Sequence, residues 1–329
     1  LCYIVREATR VCGEISDMAD DDKAAPGAAA AALEKGRAHH DAGRLAEAEA
    51  NYREALAAEP DNPDALYIDQ VQRGVLSICS ELGYELVVHP CRYKSEGFIE
   101  DCIHFVRRSN IDGVIILPPV SESKLLADTL QSKHINYVRM ASVDLDDHKN
   151  IVVSDDRAAL RDLARYMVSL GHTDIGIISG PQQYYSSKER LEGFLETLQS
   201  LNVDVPPSRI VEGKNSFESG IECARHLLIQ SPRVKAIFAN NDEMAAGVLK
   251  VAHEMGIAVP DDLSVAGFDD NLLAARVIPA LTTVQRPVGD MAAIAARKII
   301  AHIQGKEVSE SETYLVKPHL IIRDSIKKV

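Results

Sequence analysis

Short apolar runs alternate along the chain with longer segments in which apolar residues recur every three or four positions. The clearest example extends from Ala236 to Asp270. An apolar run ends in Asn240-Asn241-Asp242, a segment with helical periodicity continues to Gly256, and a second apolar run ends in Phe268-Asp269-Asp270. This order predicts a strand, a helix and a strand. Because a right-handed crossover makes the two strands parallel, both polar clusters are expected at the same carboxyl edge, where open α/β sheets bind ligands.

The same alternation continues from residue 67 onward and predicts a doubly wound α/β fold with parallel sheets. The predicted helices are Ile68–Leu82, Phe98–Arg107, Lys124–Leu130, Arg157–Leu170, Lys188–Leu201 and Ser219–Gln230. The predicted strands, besides the two above, are Tyr84–Val88, Gly113–Leu117, Ile135–Met140, Ile175–Ser179 and Arg209–Glu212.

Residues 1–66 have a different sequence pattern. We assign 1–27 to an N-terminal segment and linker, and 28–66 to a helical hairpin that resembles a tetratricopeptide repeat. Gly36, Ala48, Tyr52, Ala55 and Pro60 stand at that repeat's usual spacing. A single repeat cannot bury its own apolar faces, so the hairpin is expected to dock on another surface. A protein-interaction adaptor therefore stays open as one class of function.

Composition limits the partners. The chain has 329 residues, of which 46% are hydrophobic, and a net charge of −13. Without a long run of Lys or Arg, it is not expected to bind nucleic acid by electrostatics. Six cysteines show neither a C-x-x-C pair nor zinc spacing, which indicates reduced thiols in a cytoplasmic protein. No apolar segment reaches the roughly 18 to 20 residues needed to span a bilayer.

An enzyme is a competing class, and it would need a reactive group. The chain contains no G-x-S-x-G elbow, no Walker loop, no H-E-x-x-H and no G-x-G-x-x-G after a strand. His172 follows a glycine at a predicted helix end, which favours a helix cap over a general base. We therefore predict that the protein is not an enzyme and uses no cofactor or metal.

Several segments resemble the effector-binding core of the lactose-repressor (LacI) family of transcription regulators, over residues 67–329. They are Gln72-Arg73-Gly74, Asp112-Gly113-Val114-Ile115-Ile116, Leu170-Gly171-His172, Arg190-Leu191-Glu192-Gly193-Phe194, Asn241-Asp242-Glu243-Met244-Ala245, Asp262 to Asp270, Leu281-Thr282-Thr283-Val284 and Pro318 to Ser325. Periplasmic sugar-binding receptors share this fold and remain the alternative. The Thr-Thr-Val segment and the Pro-His-Leu-Ile-Ile-Arg tail favour the regulators.

The resemblance implies two lobes of the periplasmic-binding-protein-like type I fold. The first lobe is expected over about 67–156 and 281–290, and the second over about 157–280 with the C-terminal segment. The family begins its core with a central strand, which either Leu1–Val5 supplies from a distance or this core lacks. DNA binding is expected only through a helix-turn-helix domain, which the segment ahead of Tyr67 does not provide.

The resemblance also implies a homodimer. The partner is expected to contact a helix near Val71–Leu82, the helix Met244–Met255 and the apolar segment Ile278–Leu281.

For the ligand site, the resemblance points to Asp156 or its neighbour Asp155, Arg190, Asn241 and Asp269. Carboxylates accept from paired hydroxyls, a guanidinium donates through a planar fork, and an amide does both. Such a set suits a small neutral carbohydrate or related polyol.

Asn215 is a weaker candidate, at a position where the family often offers a pocket wall. Ordinary roles remain open for the others. Asn241 can cap the helix that follows it, Asp269 can belong to a simple turn, and Arg190 can be a solvated helix residue.

Overall fold

The computed structural model describes residues 2–7, 63–89, 96–306 and 314–329. The predicted linker and most of the predicted hairpin, residues 8–62, lie outside this range.

The helices and strands follow the predicted alternation. The helices are α1 (Pro63–Leu82), α2 (Phe98–Arg108), α3 (Lys124–Ser132), α4 (Asp156–Ser169), α5 (Tyr185–Ser200), α6 (Phe217–Leu228), α7 (Asp242–Glu254), α8 (Leu272–Arg276) and α9 (Val288–Ile303). The strands are β1 (Cys2–Glu7), β2 (Tyr84–His89), β3 (Gly113–Ile116), β4 (Asn136–Ala141), β5 (Ile151–Ser154), β6 (Ile175–Ser179), β7 (Ile210–Glu212), β8 (Ala236–Ala239), β9 (Ser264–Ala266), β10 (Thr283–Gln285), β11 (Leu315–Val316) and β12 (His319–Ile321).

The first lobe is built on a six-stranded sheet in the order β11-β5-β4-β3-β1-β2. Helices cover both of its faces, so the side chains of β3 are all buried, as expected for a strand inside such a layer. On one face, α1 and α9 pack together over the sheet. They approach closely at Gly74, where a Cβ would lie 2.3 Å from the Gly289 carbonyl oxygen. On the other face, α2 and α3 bury a second apolar cluster.

The missing first core strand is supplied from a distance. β1 lies between β2 and β3, which is the first of the two alternatives that the sequence left open. It runs antiparallel to both neighbours, whereas β3, β4, β5 and β11 are mutually parallel. The segment just ahead of residue 67, where the family's strand was expected, instead opens helix α1 at Pro63. The domain boundary expected at residue 67 therefore falls inside a helix.

The second lobe is built on a four-stranded parallel sheet in the order β7-β6-β8-β9. Helices α4 and α5 bury one face of this sheet, and α6 and α7 bury the other. The predicted doubly wound α/β fold with parallel sheets is confirmed, with β1 as the antiparallel exception in the first lobe.

The chain passes between the lobes at three places. It leaves the first sheet after β5 and enters the second lobe at Asp156. It returns after β10, through Arg286, into α9, which packs on the first sheet. It crosses again after β11, which pairs with β5, to reach β12, which pairs with β10. The first lobe thus also holds α9 and β11, beyond the 281–290 segment expected from the sequence. Within the described ranges, no helix is both long and apolar enough to span a membrane.

Candidate functional site

Arg190 stands at the centre of a polar cluster where the crossing segments meet. It lies on α5 and is almost completely buried. Its Nε donates to Asp156 Oδ2 at 3.0 Å, its Nη1 to the Asn240 carbonyl at 2.7 Å, and its Nη2 to Asp269 Oδ1 at 3.3 Å. Arg190 therefore ties together the end of the first sheet and two strand ends of the second. The alternative of a solvated helix residue is wrong.

An aromatic ring fixes the plane of this guanidinium. Arg190 Cζ lies 3.6 Å from the centroid of the fully buried Phe268 ring. A guanidinium over a ring face is attracted by the ring quadrupole, and more strongly where water is excluded. The fork is thus held in one orientation before any ligand arrives.

Asp156 is the buried anion of the cluster, with 0% exposure. It accepts from Arg190, from Ser154 Oγ and, at 3.4 Å, from Ser142 Oγ. Burial opposes its ionisation, but the charges of Arg286 and Arg190 outweigh that and lower the pKa of Asp156. With its acceptor sites occupied from within the protein, Asp156 is placed to organise the cluster.

Asp269 is the accessible carboxylate, since 37% of its side chain is exposed. Its backbone φ is 109°, a region that non-glycine residues rarely adopt. The strand end holds this conformation, because the Asp269 amide donates to the Val284 carbonyl at 2.9 Å. The surrounding protein raises the pKa of Asp269 by desolvation, and Arg190 and Arg286 act against that rise. Backbone strain of this kind clusters at ligand sites. Asp269 also accepts from Arg190, a contact that an ordinary turn residue would not make.

Two further residues of the cluster were not predicted. Arg286 follows β10, and its Nη2 donates to Ser142 Oγ at 2.8 Å. Tyr67 lies in α1, and burial raises the pKa of its phenol while the charge of Arg286 lowers it. Asp269 and Asp156 also influence the pKa of Tyr67, so the phenol belongs to the same electrostatic environment.

Three asparagines form a second polar group beside Arg190. Asn241 Oδ1 accepts from the Met244 amide at 3.0 Å and so caps α7, while its Nδ2 donates to the Asn215 carbonyl at 2.9 Å. Asn240 Nδ2 donates to Asn215 Oδ1 at 2.9 Å. Asn215 is held at a φ of 60°. Asn241 is therefore a helix cap, as its position allowed, and it anchors the Asn215 loop as well.

Asp155 has a separate role. Its Oδ1 accepts from the Ala158 amide at 3.0 Å and caps α4. Of the two neighbours that the sequence left open, Asp156 is the one that contacts Arg190.

The structure thus joins Asp156, Arg190 and Asp269 directly, and it brings Asn215 and Asn241 to the same edge through Asn240. Sequence reasoning missed Arg286, Tyr67, Ser142 and Ser154, and it placed Asn240 at the ligand edge without choosing it as a site residue. The available signal was position, because most of these residues follow or end a strand, but residue type alone did not separate them from ordinary loop residues.

The cluster offers hydrogen-bond donors and acceptors of both charges. Within the part of the chain that the structure describes, no group of three or more His, Cys, Asp and Glu side chains is placed to hold a metal ion. His172, the residue weighed as a base, is buried with its Nε2 2.9 Å from the Lys327 carbonyl oxygen. The arrangement is suited to binding.

Comparisons with known proteins agree with this geometry. Residues 164–326 match the periplasmic binding protein-like domain family. The chain is 30% identical over 280 residues to the HTH-type transcriptional repressor PurR of Salmonella paratyphi B, an alignment that covers 84% of this chain and 81% of the relative.

Solved structures of transcription regulators are also similar to this chain. A regulatory protein of the LacI family from Chloroflexus aggregans is 26% identical, with a TM-score of 0.71, covering 80% of this chain and 93% of that one. The transcriptional regulator CelR in a cellobiose complex is 25% identical, with a TM-score of 0.70, covering 92% and 100%. These relatives are named as regulators of transcription. The chain belongs to the LacI family of transcriptional regulators, and its described lobes form the ligand-binding domain of that family.

Proposed function

We propose that the cluster around Arg190 binds a small polyhydroxylated effector of the carbohydrate class. The observation that carries this proposal is the partly exposed Asp269 beside a guanidinium that is fully oriented from within the protein. A carboxylate can accept from two neighbouring hydroxyls, which is how such sites recognise sugars. The regulator CelR forms a complex with cellobiose, which supports the same ligand class here.

Binding would act through the arrangement of the lobes. Ser142 belongs to the first lobe, Asp269 to the second, and Arg286 to the segment that crosses between them. The lobes also touch where the Tyr185 amide donates to Glu122 Oε1 at 3.1 Å. An effector that contacts both lobes binds the closed arrangement better, and this differential affinity is what shifts the population. In a regulator of this family, that shift is the signal passed on to DNA binding.

Calorimetry with a panel of mono- and disaccharides tests the site. We expect at least one sugar to bind the wild type and to lose roughly 1.5 to 3 kcal/mol with Asp269→Ala. Equal binding by both proteins would refute the site assignment. Small-angle scattering with and without that sugar tests closure, since a bound form as extended as the free form would contradict it.

Homodimer formation is a further part of the proposal. Ile278, in the predicted contact segment, is 94% exposed, and Leu76 and Leu82 of α1 are also exposed. Met244 and Leu281, which were predicted to be in the contact region, are instead buried in the second lobe's core, so they are unavailable to a partner. Light scattering of the wild type and Ile278→Asp checks this. A monomer at tens of micromolar wild-type protein would contradict it.

A cytoplasmic location remains a proposal that rests on cysteine usage. Cys79 and Cys223 are free and buried. Thiol titration of protein isolated from the cell, with and without unfolding, would test whether these residues are reduced.

A further inference from the structure

Arg286 has unused hydrogen-bonding capacity in the ligand site. Its side chain is only 10% exposed. Of its five N–H donors, the contacts among the described residues use one, from Nη2 to Ser142 Oγ at 2.8 Å. Its Nε is buried and has no hydrogen-bond partner within the described ranges. A buried charged donor without an acceptor is costly, so this residue lacks the group that would satisfy it.

The neighbouring carboxylate does not fill this role. Asp156 Oδ1 lies 3.8 Å from Arg286 Nε, which balances charge but exceeds a hydrogen-bond distance. Asp156 already accepts from Arg190, Ser154 and Ser142. It therefore supports Arg286 electrostatically and leaves its donors open.

The other arginine of the site uses three of its five N–H donors. Each of the three nitrogens of Arg190 donates to a protein acceptor, and its flat face lies on Phe268. The two arginines thus differ in function. Arg190 links the strand ends of the cluster, and Arg286 keeps donors open next to Asp156, which shares Arg190 with the partly exposed Asp269.

The chemistry of an open guanidinium fork identifies the group it would take. A guanidinium pairs with a carboxylate through two parallel N–H···O bonds, whereas a single hydroxyl fills only one donor. Asp269 offers acceptors for hydroxyls at the same place. We propose that Arg286 binds a carboxylate of the effector, so that the effector is a sugar acid or another polyhydroxylated carboxylic acid.

This inference rests on the proposed carbohydrate site. It changes the expected charge of the effector from neutral to negative. The sequence predicted a neutral carbohydrate because it did not show that Arg286 belongs to the site. The open donors of Arg286 depend on packing between segments that are distant in the chain. Arg286 becomes the residue that selects an acid over the corresponding neutral sugar.

The test is calorimetry with a panel of pentoses and hexoses, each measured beside its aldonate and its uronate, and with glucuronamide beside glucuronate. In the wild type, we expect the acid of at least one pair to bind on the order of tenfold to a hundredfold more tightly than its neutral partner. Arg286→Gln should remove that preference, and Arg286→Lys should keep it in part, since it retains the charge without the fork. Arg165→Gln, at an exposed position on α4, is the matched control and should leave the preference unchanged.

Each outcome decides the proposal. Neutral sugars that bind as tightly as their acids overturn this inference, and the carbohydrate site stands. An acid preference that survives in a folded Arg286→Gln overturns the role of Arg286. If no member of any pair binds, the carbohydrate proposal fails and this inference fails with it. The comparison within the wild type decides the ligand's charge even if a variant does not fold.

Discussion

Asp156 and Asp242 occupy equivalent places at the starts of two helices of the second lobe, on opposite faces of its sheet, and carry opposite properties. Each is the first residue of a helix, α4 or α7, after a capping Asp155 or Asn241, and each is 0% exposed. Two guanidinium groups face Asp156, from Arg190 at 3.0 Å and Arg286 at 3.8 Å.

Asp242 has different neighbours. Its carboxyl accepts from Thr283 Oγ1 at 2.6 Å and from the Asn271 amide at 2.9 Å. The pKa of Asp156 is lowered, whereas burial, together with the charge of Asp269, raises the pKa of Asp242 well above its usual value.

Because burial is the same in both cases, the neighbouring charges account for the difference: two guanidinium groups at Asp156 and the Asp269 carboxylate at Asp242. The charged carboxylate orients the arginines of the ligand site. The other carboxyl fastens the crossing strand β10, through Thr283, to the second lobe. Two similar sequence positions therefore serve ligand binding at the start of α4 and architecture at the start of α7.

The largest expected effect on stability comes from removing Asp156, the charged carboxylate of the pair. Asp156→Ala leaves two buried guanidinium groups without the carboxylate that they share, and we expect a loss of about 3 to 5 kcal/mol in the free energy of unfolding. Urea denaturation measures it. Asp162→Ala, at an exposed position on the same helix, should change the value by less than about 0.5 kcal/mol. Equal effects of the two substitutions would show that Asp156 does not organise the cluster.

Asp269 extends the comparison to a carboxylate that is only partly covered. Asp269→Asn keeps the shape of the side chain, so we expect the free energy of unfolding to change by less than about 1 kcal/mol. Effector affinity should fall by about 1.5 to 3 kcal/mol because a charge-assisted bond is lost.

The control for this variant is Asp261→Asn, an exposed position in the second lobe. Calorimetry and denaturation on both variants separate binding from stability. A large loss of stability with unchanged affinity in Asp269→Asn would assign this residue to the fold.

Asp242, the uncharged carboxyl of the pair, should affect how the free energy of unfolding depends on pH. Since the folded pKa of Asp242 is raised, its contribution is complete below the unfolded pKa of about 3.9 and is lost as pH rises through the folded pKa. The free energy of unfolding of the wild type should therefore decline above about pH 4. Asp242→Asn cannot ionise, so its profile should be flatter by about 1 kcal/mol across that window. Parallel profiles for the two proteins would contradict the assignment.

The smallest effect is expected at Glu122, whose carboxylate accepts from the Tyr185 amide across the lobes. This contact is exposed to solvent, and exposed pairs contribute little. Glu122→Gln should change effector affinity by less than about threefold, measured by calorimetry. A loss above tenfold would show that this contact, and not the buried cluster, governs closure.

Local sequence predicted much of the fold because strands and helices leave different periodicities. It left β1 as one of two alternatives, since its pairing with β3 joins segments more than 100 residues apart. The strand ends at Asn241 and Asp269 were found because a crossover places them on one edge. Arg286 was missed because only packing between the lobes brings it beside Asp156. The choice between Asp155 and Asp156 likewise depended on which side chain turns inward, and adjacent residues of the same type carry no such signal.

The difference in charge between the two buried carboxyls can be measured directly by carbon-13 NMR of the aspartate carboxyl groups across a pH titration. We expect the Asp156 signal to remain that of a carboxylate down to below pH 3.9, or until the protein unfolds, because of Arg286 and Arg190. The Asp242 signal should reach its midpoint at a pH well above that value. An Asp156 signal that titrates at the same pH as Asp242, or above it, would contradict the account.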